Sequence, residues 1–425
     1  MEKIKDTTFE MDKEELLMLR LLSQALNIEQ DTSEVLDQEK KKLNDLRLEK
    51  QNAEIFSQID WEHFYQIAQG HRVLSFLYDE LAEAREVPET MQKRVAAASR
   101  KAVLQSYRLL FLCKDLCSRL EQAGIAVALL KGVGTASYYP VPELRKSGDV
   151  DLLLLDVEKQ KEACEVLKQA GCTLREEQPS LHHVVFENSD GIEIELHTML
   201  AEPFDNEKIN GYLEDQMDNC AHEVVQKEVM GVTLPILNTA YHAYELLLHM
   251  LQHFLRAGFG LKLLCDWVVF WNTPSSQEEK EKYIKLVRES GVKGFSDMIT
   301  QVCVKYLGLE LKNVQWMDFD QVYPTEDFME EIFEAEEFGN HSAARMVGLR
   351  DNNLWGYVVE FHHQMHLNFP KAGKVFLFWP VLWVITLVRF LYNNRKIRKV
   401  SAREVFKSAG KRSRLIGRLN LWKNP

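Results

Sequence analysis

Two short stretches constrain the fold more than anything else in this chain: Asp149-Val150-Asp151 and, further on, Glu193-Ile194-Glu195. On a strand, side chains two apart share a face, so each stretch aims two carboxylates one way and its central apolar residue the other. The acidic side must meet water, cations or a polar ligand while the other side packs. Acidic groups gathered in this way can hold hard divalent cations, which prefer oxygen ligands. Two such ions can clamp a triphosphate and activate an attacking hydroxyl, the general route to phosphoryl or nucleotidyl transfer. The same alternation also describes the wet face of many antiparallel strands, so the surroundings decide.

Upstream, Ala126-Val127-Ala128-Leu129-Leu130 reads as a buried strand and Lys131-Gly132-Val133-Gly134-Thr135 as a tight turn. Thr135 to Tyr139 follows as a short helix stopped by Pro140. Strand, glycine turn and helix start together suit phosphate: glycine lets the backbone approach the oxygens, and the first N–H groups of a helix point at them. No Gly-Lys-Ser or Gly-Lys-Thr follows at Walker spacing, which excludes a P-loop. The turn centres on Gly132 or on Gly134, and an ordinary strand-to-helix connection reads the same way.

These residues, in this order, resemble the signature of the polymerase-beta-like nucleotidyltransferase superfamily, in which an apolar residue, Gly, and Gly or Ser precede an Asp pair. Here Val133-Gly134-Thr135 precedes Asp149-Val150-Asp151-Leu152, with Thr135 a conservative departure. The likeness is closer to the superfamily's uncharacterised nucleotidyltransferase branch, through Leu130-Lys131-Gly132, Arg145 and Glu195-Leu196-His197. It extends to Ile59-Asp60-Trp61, to Ala68-Gln69-Gly70-His71-Arg72, to His249, His253 and Asp266, and to Arg414, Leu419 and Leu421. The resemblance implies a reaction type without a substrate. Asp149, Asp151 and Glu195 would coordinate two Mg²⁺, with Glu193 as the fallback for the third position. Lys131, Gly132, Gly134, Thr135, Arg145 and Lys146 would meet the phosphates, and His197, His249 and His253 would contact substrate.

The expected fold is α+β, a small mixed-sheet nucleotidyltransferase core embedded in helical N- and C-terminal regions. Residues 1–120 show helical spacing, opened by Leu16, Leu17, Leu19, Leu21 and Leu22, with the charged stretch Glu39 to Lys50 as a solvated face. Residues 121–205 form the α/β core. Within it, Asp156 caps a helix ending before Gly171, and Cys172–Arg175, His182–Glu187 and Ile192–Leu196 are strands. The last two join as a hairpin through Asn188-Ser189-Asp190-Gly191. Residues 206–345 form a helical C-terminal domain, and 346–425 an apolar, then basic, helical segment.

His242, His249 and His253 share one helix face, and His249 and His253 stand one turn apart. Zinc could use that spacing, but no third ligand of clear spacing accompanies it, so core packing or substrate contact is the expectation. His362, His363 and His366 are read in the same way. Trp267, Phe270 and Trp271 recur at helical intervals and are assigned to core, while Trp316 to Phe338 is an acidic surface with a helix after Pro324. The seven cysteines are scattered and odd in number, so reduced, mostly buried thiols are expected rather than a disulfide framework or a zinc site.

Charge is unevenly placed. The chain carries −12 overall, yet Arg389 to Pro425 holds twelve Lys or Arg against Glu404 alone, +11, leaving −23 for the remainder. Val375 to Val388 just before it is almost continuously apolar and too short to span a bilayer. Docking on the acidic body, contact of 375–425 with an anionic membrane surface, and a polyanion site are the three readings, with nucleic acid the least favoured. The charged N-terminus lacks a signal-peptide core, so a cytoplasmic protein, peripheral at a membrane if the second reading holds, is expected. The leading function is Mg²⁺-dependent transfer of a nucleoside monophosphate from a nucleoside triphosphate to a hydroxyl or phosphate acceptor, with ATP as one candidate donor. The alternatives are a non-catalytic nucleotide- or membrane-surface-binding module and a metal-dependent phosphohydrolase using the same carboxylates.

Overall fold

The computed structural model describes residues 11–26, 55–82, 84–175, 183–204, 206–256, 258–318, 320–335, 362, 365–366, 369, 376–392 and 414–422. The charged stretch Glu39–Lys50, His182, His363 and most of the basic run after Tyr392 lie outside them. The fold class matches expectation: a mixed sheet flanked by helices on both sides in sequence.

Among the described residues the sheet has seven strands: β1 Val127–Leu129, β2 Val150–Leu154, β3 Thr173–Leu174, β4 His183–Glu187, β5 Glu193–His197, β6 Val224–Val229 and β7 Val232–Leu237. Their spatial order is β3-β4-β5-β2-β1-β7-β6. β2 runs parallel to β5 and antiparallel to β1, and β1 runs parallel to β7. The pairing of β2 with β5 sets Asp151 opposite Glu195. That register delivers the two acidic stretches to one place.

Alternation decides which face they occupy. Val150, Leu152, Leu154, Ile194 and Leu196 point to a core shared with the helix Gln160–Gln169 and the second half of the 34-residue helix Glu89–Gln122. Leu153 points the other way, into the larger helical core, and Asp151 shares its face by the two-residue period. The carboxylates therefore lie between the sheet and the helices Thr239–Arg256 and Leu261–Asn272, while a long helix braces the apolar face.

The stretch 206–345 departs from its helical reading. Residues 224–237 form the β6–β7 hairpin, and its turn puts Met230 (φ 48°) and Gly231 (φ 78°) both in the left-handed region, as a two-residue hairpin loop requires. Met-Gly lacks the Asn-Gly or Asp-Gly signature of such turns, and Gln226, Lys227 and Glu228 blur the alternation, so the pattern is weak in the sequence. Around it the helices hold: Glu207–Cys220 is capped by Asn206, and Gln277–Glu289 by Ser276. Trp267, Phe270 and Trp271 are buried in the core as expected, and all seven cysteines are free, only Cys164 being half-buried rather than buried.

Two family-pattern positions prove to be architectural. Asp60 caps Trp61–Gly70 by accepting from the N–H groups of Glu62 and His63. Near the end of the chain, Leu415 and Leu419 are buried in the main core, and the Trp422 N–H donates to the Gly291 carbonyl at 3.0 Å. Residues 414–422 are docked on the body.

Candidate active site

A cavity of about 550 Å³ opens where the acidic face of the sheet meets the helices. Lys131, Gly132, Arg145, Asp149, Asp151, Glu193, Glu195, His197, His249 and His253 all line it. Most residues proposed from sequence are thus brought together by the fold.

Asp151 is its electrostatic centre. Its Oδ1 lies 2.9 Å from Lys131 Nζ and 3.0 Å from His197 Nε2, and the same imidazole nitrogen is 3.0 Å from Glu195 Oε2. Burial works against the charge on Asp151, but Lys131 and His197 together hold its carboxyl well below the usual range. Burial likewise works against charge on His197, yet its bonds to Asp151 and Glu195 lift it to about 9. Ligand atoms of Asp151, Glu195 and His197 all lie within 4.8 Å of one another, a spacing that can hold a metal ion. Among the described residues no other such group is found.

Asp149 takes the opposite shift. Burial and the nearby Asp151 push its carboxyl up, against Lys131 and Lys262. It occupies the same face two residues before Asp151 but lies outside the tight group of three. Glu193, the fallback ligand, is paired with Arg175, which also bonds Glu187 across the hairpin.

The turn after β1 is built around Gly132, whose φ of 59° and ψ of −118° favour glycine. Its carbonyl accepts from Arg145 Nη1 at 2.9 Å and from the Ala136 N–H at 3.2 Å. Gly134 and Thr135 do not line the cavity. The Gly134 N–H is spent on the Lys131 carbonyl, an added Cβ there would meet Ile236, and the fully buried Thr135 shares a 3.2 Å hydrogen bond with His242. Lys146 also lies outside the lining.

Arg145 lines the cavity but is spoken for. Its Nε and Nη2 donate to both oxygens of Asp266 at 2.7 and 2.8 Å, and Nη1 donates to Ser147 Oγ at 2.6 Å as well as to Gly132. Tyr139 Oη–H donates to Asp266 at 2.6 Å. Arg145 thus fixes the glycine turn to the helix Leu261–Asn272, a positioning task rather than a free phosphate contact.

His71 is also structural, although its edge reaches the cavity: Nδ1 accepts the Leu261 N–H at 3.3 Å and the ring stands on Phe333. His249 and His253 are edge-to-face at 4.4 Å. Burial holds His249 well below its ordinary value and His253 at about 4. Both present neutral imidazole to the cavity.

The sequence reading missed two groups. Glu245, buried on the helix Thr239–Arg256, lines the cavity, and its Oε2 lacks a hydrogen-bond partner; burial raises its carboxyl to about 8. Lys262 also lines it, pushed down to about 8 by burial and by Arg145. The signal for Glu245 is a polar stripe, His242, Glu245, His249, Gln252, His253 and Arg256, on an otherwise apolar helix.

Comparison with known proteins identifies a family. The model of a family described as uncharacterised nucleotidyltransferase matches residues 57–308. No curated protein matches the chain. Among solved structures, an antigenic nucleotidyltransferase-like protein from Paracoccidioides brasiliensis is similar at 17% identity over 48% of this chain and 93% of its own, with a TM-score of 0.29, too low to carry an argument. The family match covers more than half of the 425 residues and spans the glycine turn, both acidic strands and the histidine helix; the chain belongs to the uncharacterised nucleotidyltransferase family.

Proposed function

We propose that the protein transfers a nucleoside monophosphate from a nucleoside triphosphate to a hydroxyl or phosphate acceptor, releasing pyrophosphate in a Mg²⁺-dependent reaction. The observation that carries this reading is the register of β2 with β5, which gathers Asp151 and Glu195, with Asp149 on the same face, at the wall of a cavity of small-molecule size.

The donor set fits a hard divalent cation, since carboxylate oxygens of Asp151 and Glu195 lie within one coordination sphere's reach. Asp149, Asp151 and Glu195 would hold two Mg²⁺, while His197, an unfavoured Mg²⁺ ligand, orients the carboxylates. When bound, the ions supply charge neutralisation for the polyphosphate and lower the pKa of an oxygen acid they touch.

The chain's own residues do the rest. Lys131, Arg72 and Lys262 place positive charge around the cavity where phosphate charge would build. Gly132, free of a side chain at the turn, permits close approach of a phosphate oxygen. Neutral His249 and His253, on the opposing helix, offer hydrogen bonds to the acceptor without adding charge. Arg145 and Asp266 keep the turn and that helical layer in fixed relation, so the two substrates meet in one geometry.

The test is pyrophosphate release from each of the four common ribonucleoside triphosphates, with an α-labelled donor and a cell extract as acceptor source. Magnesium-dependent label transfer to an acceptor supports the reading. Release of free nucleoside monophosphate alone would convert it to hydrolysis, and no turnover with any triphosphate would sink it.

A further inference from the structure

The helix Trp379–Tyr392, entered through the single turn Phe376–Phe378, is apolar on two sides. One side packs inward: Leu382 and Thr386 are buried, and Trp379 and Trp383 lean on His362, with Trp383 Nε1–H donating to His362 Nδ1 at 3.2 Å. The other side faces outward. Val381, Val384 and Val388 are each 60% exposed, with Ile385 and Leu377 alongside at 44% and 71%. Positions 377, 381, 384, 385 and 388 follow the helical repeat and fall on one face.

From Phe376 to Val388 the sole polar side chain is Thr386, and it is buried. A contiguous exposed face of this kind marks an interaction surface. As described, its fourteen helical residues reach about 21 Å, short of a hydrocarbon thickness of about 30 Å. No helix among the described residues is long and apolar enough to cross a membrane.

Charge identifies the occupant. Between Phe361 and Arg403 the sequence has eight Lys or Arg and no carboxylate, in a protein that is otherwise strongly acidic. Arg389 sits in the last turn of the helix itself. A second copy would bring the same cationic run against itself. We propose that this face seats the protein on a bilayer surface, the apolar arc entering the headgroup–acyl boundary, and the excess of Lys and Arg in the surrounding sequence selects anionic headgroups.

Flotation of the full chain on phosphatidylcholine vesicles, with and without phosphatidylserine as a minor component, tests this. The expected result is recovery with the phosphatidylserine vesicles, at least tenfold lower recovery on pure phosphatidylcholine, and weakening by added salt. Val384→Glu with Ile385→Glu should reduce recovery at least tenfold while circular dichroism stays unchanged. Should that pair disturb folding, replacing Arg395, Lys396, Arg398 and Lys399 by Ser tests the electrostatic half without touching the arc, and again recovery should fall. Absence of flotation by the wild-type chain overturns the proposal. So does equal flotation of the folded variants, or a dimer that Val384→Glu splits in a protein that ignores vesicles.

Discussion

Lys131 Nζ lies 2.9 Å from Asp151 Oδ1, with only 2% of the Asp151 side chain and 17% of the Lys131 side chain exposed. Asp151 is almost wholly buried, so the site carries its own counterion before any cation arrives. Removing one partner of a buried pair typically costs about 3–5 kcal/mol. Lys131→Met should lose stability at the low end of that range, because His197 still faces the same oxygen, and Mg²⁺ should restore more stability to the variant than to the wild type. Thermal unfolding with and without the ion measures both; an unchanged midpoint in the variant contradicts the pairing.

Asp149→Asn separates chemistry from folding. Burial already disfavours the Asp149 carboxylate, so a neutral amide of the same shape should leave the unfolding midpoint unchanged or slightly raised. Transfer activity should fall by at least about a hundredfold, the scale of losing a charge-stabilising group. Full activity in a folded Asp149→Asn variant would remove Asp149 from the mechanism.

The two glycines of the turn should respond differently to alanine. At Gly132 the backbone lies in a region that side chains rarely adopt, so Gly132→Ala should cost about 1–3 kcal/mol. Gly134 has helical geometry and a Cβ would reach Ile236 at ordinary contact distance, so Gly134→Ala should be close to neutral. Chemical denaturation of both variants gives the comparison; equal costs would mean the turn is not built on Gly132.

Buried neutral imidazoles predict acid lability. His71 and His242 are held near 3 and His253 near 4, chiefly by burial, against an ordinary value of 6.5. Because the unfolded chain takes these protons first, the stability they confer is complete above about 6.5 and lost as pH falls below it, by at most about 1.4 kcal/mol per pH unit per group. The midpoint should therefore drop steeply from pH 6.5 to 4.5. His71→Gln, which can still accept the Leu261 N–H, should shallow that slope; an unchanged slope would exclude His71 as a contributor.

Glu245 runs in the other direction. Its carboxyl is raised to about 8, so the folded state keeps a proton that the unfolded state releases near 4.5. Its contribution is full below 4.5 and declines as pH rises toward 8. Glu245→Gln stays neutral throughout, so its stability relative to wild type should increase with pH across that interval. Parallel unfolding curves for the two proteins at pH 5 and pH 8 would refute the shift.

Much of this site was legible in the sequence because strand alternation is a short-range rule. Asp149-Val150-Asp151 and Glu193-Ile194-Glu195 declare their own faces, and the Asn188–Gly191 turn joins β4 to β5. What the sequence could not declare was reach. Arg145 reads as a phosphate ligand until Asp266, on a distant helix, is seen to occupy its guanidinium. Gly134 and Thr135 fit the motif, but Ile236 and His242 close over them from segments that only tertiary packing brings near. The β6–β7 hairpin escaped because Met230-Gly231 does by conformation what Asn-Gly does by composition. Glu245 escaped because a carboxyl on an apolar helix resembles an ordinary solvated side chain until its burial is known.

The Arg145–Asp266 clamp also makes the cavity lining unequal in stiffness. Beside that buried pair the same lining holds an ion pair of another kind: Arg256 Nη2 meets Glu202 at 2.5 Å with both side chains substantially wet. An ion pair in that setting opens easily. Where the lining yields to an incoming ligand, it should yield at Arg256 and Glu202 before it yields at Arg145 and Asp266.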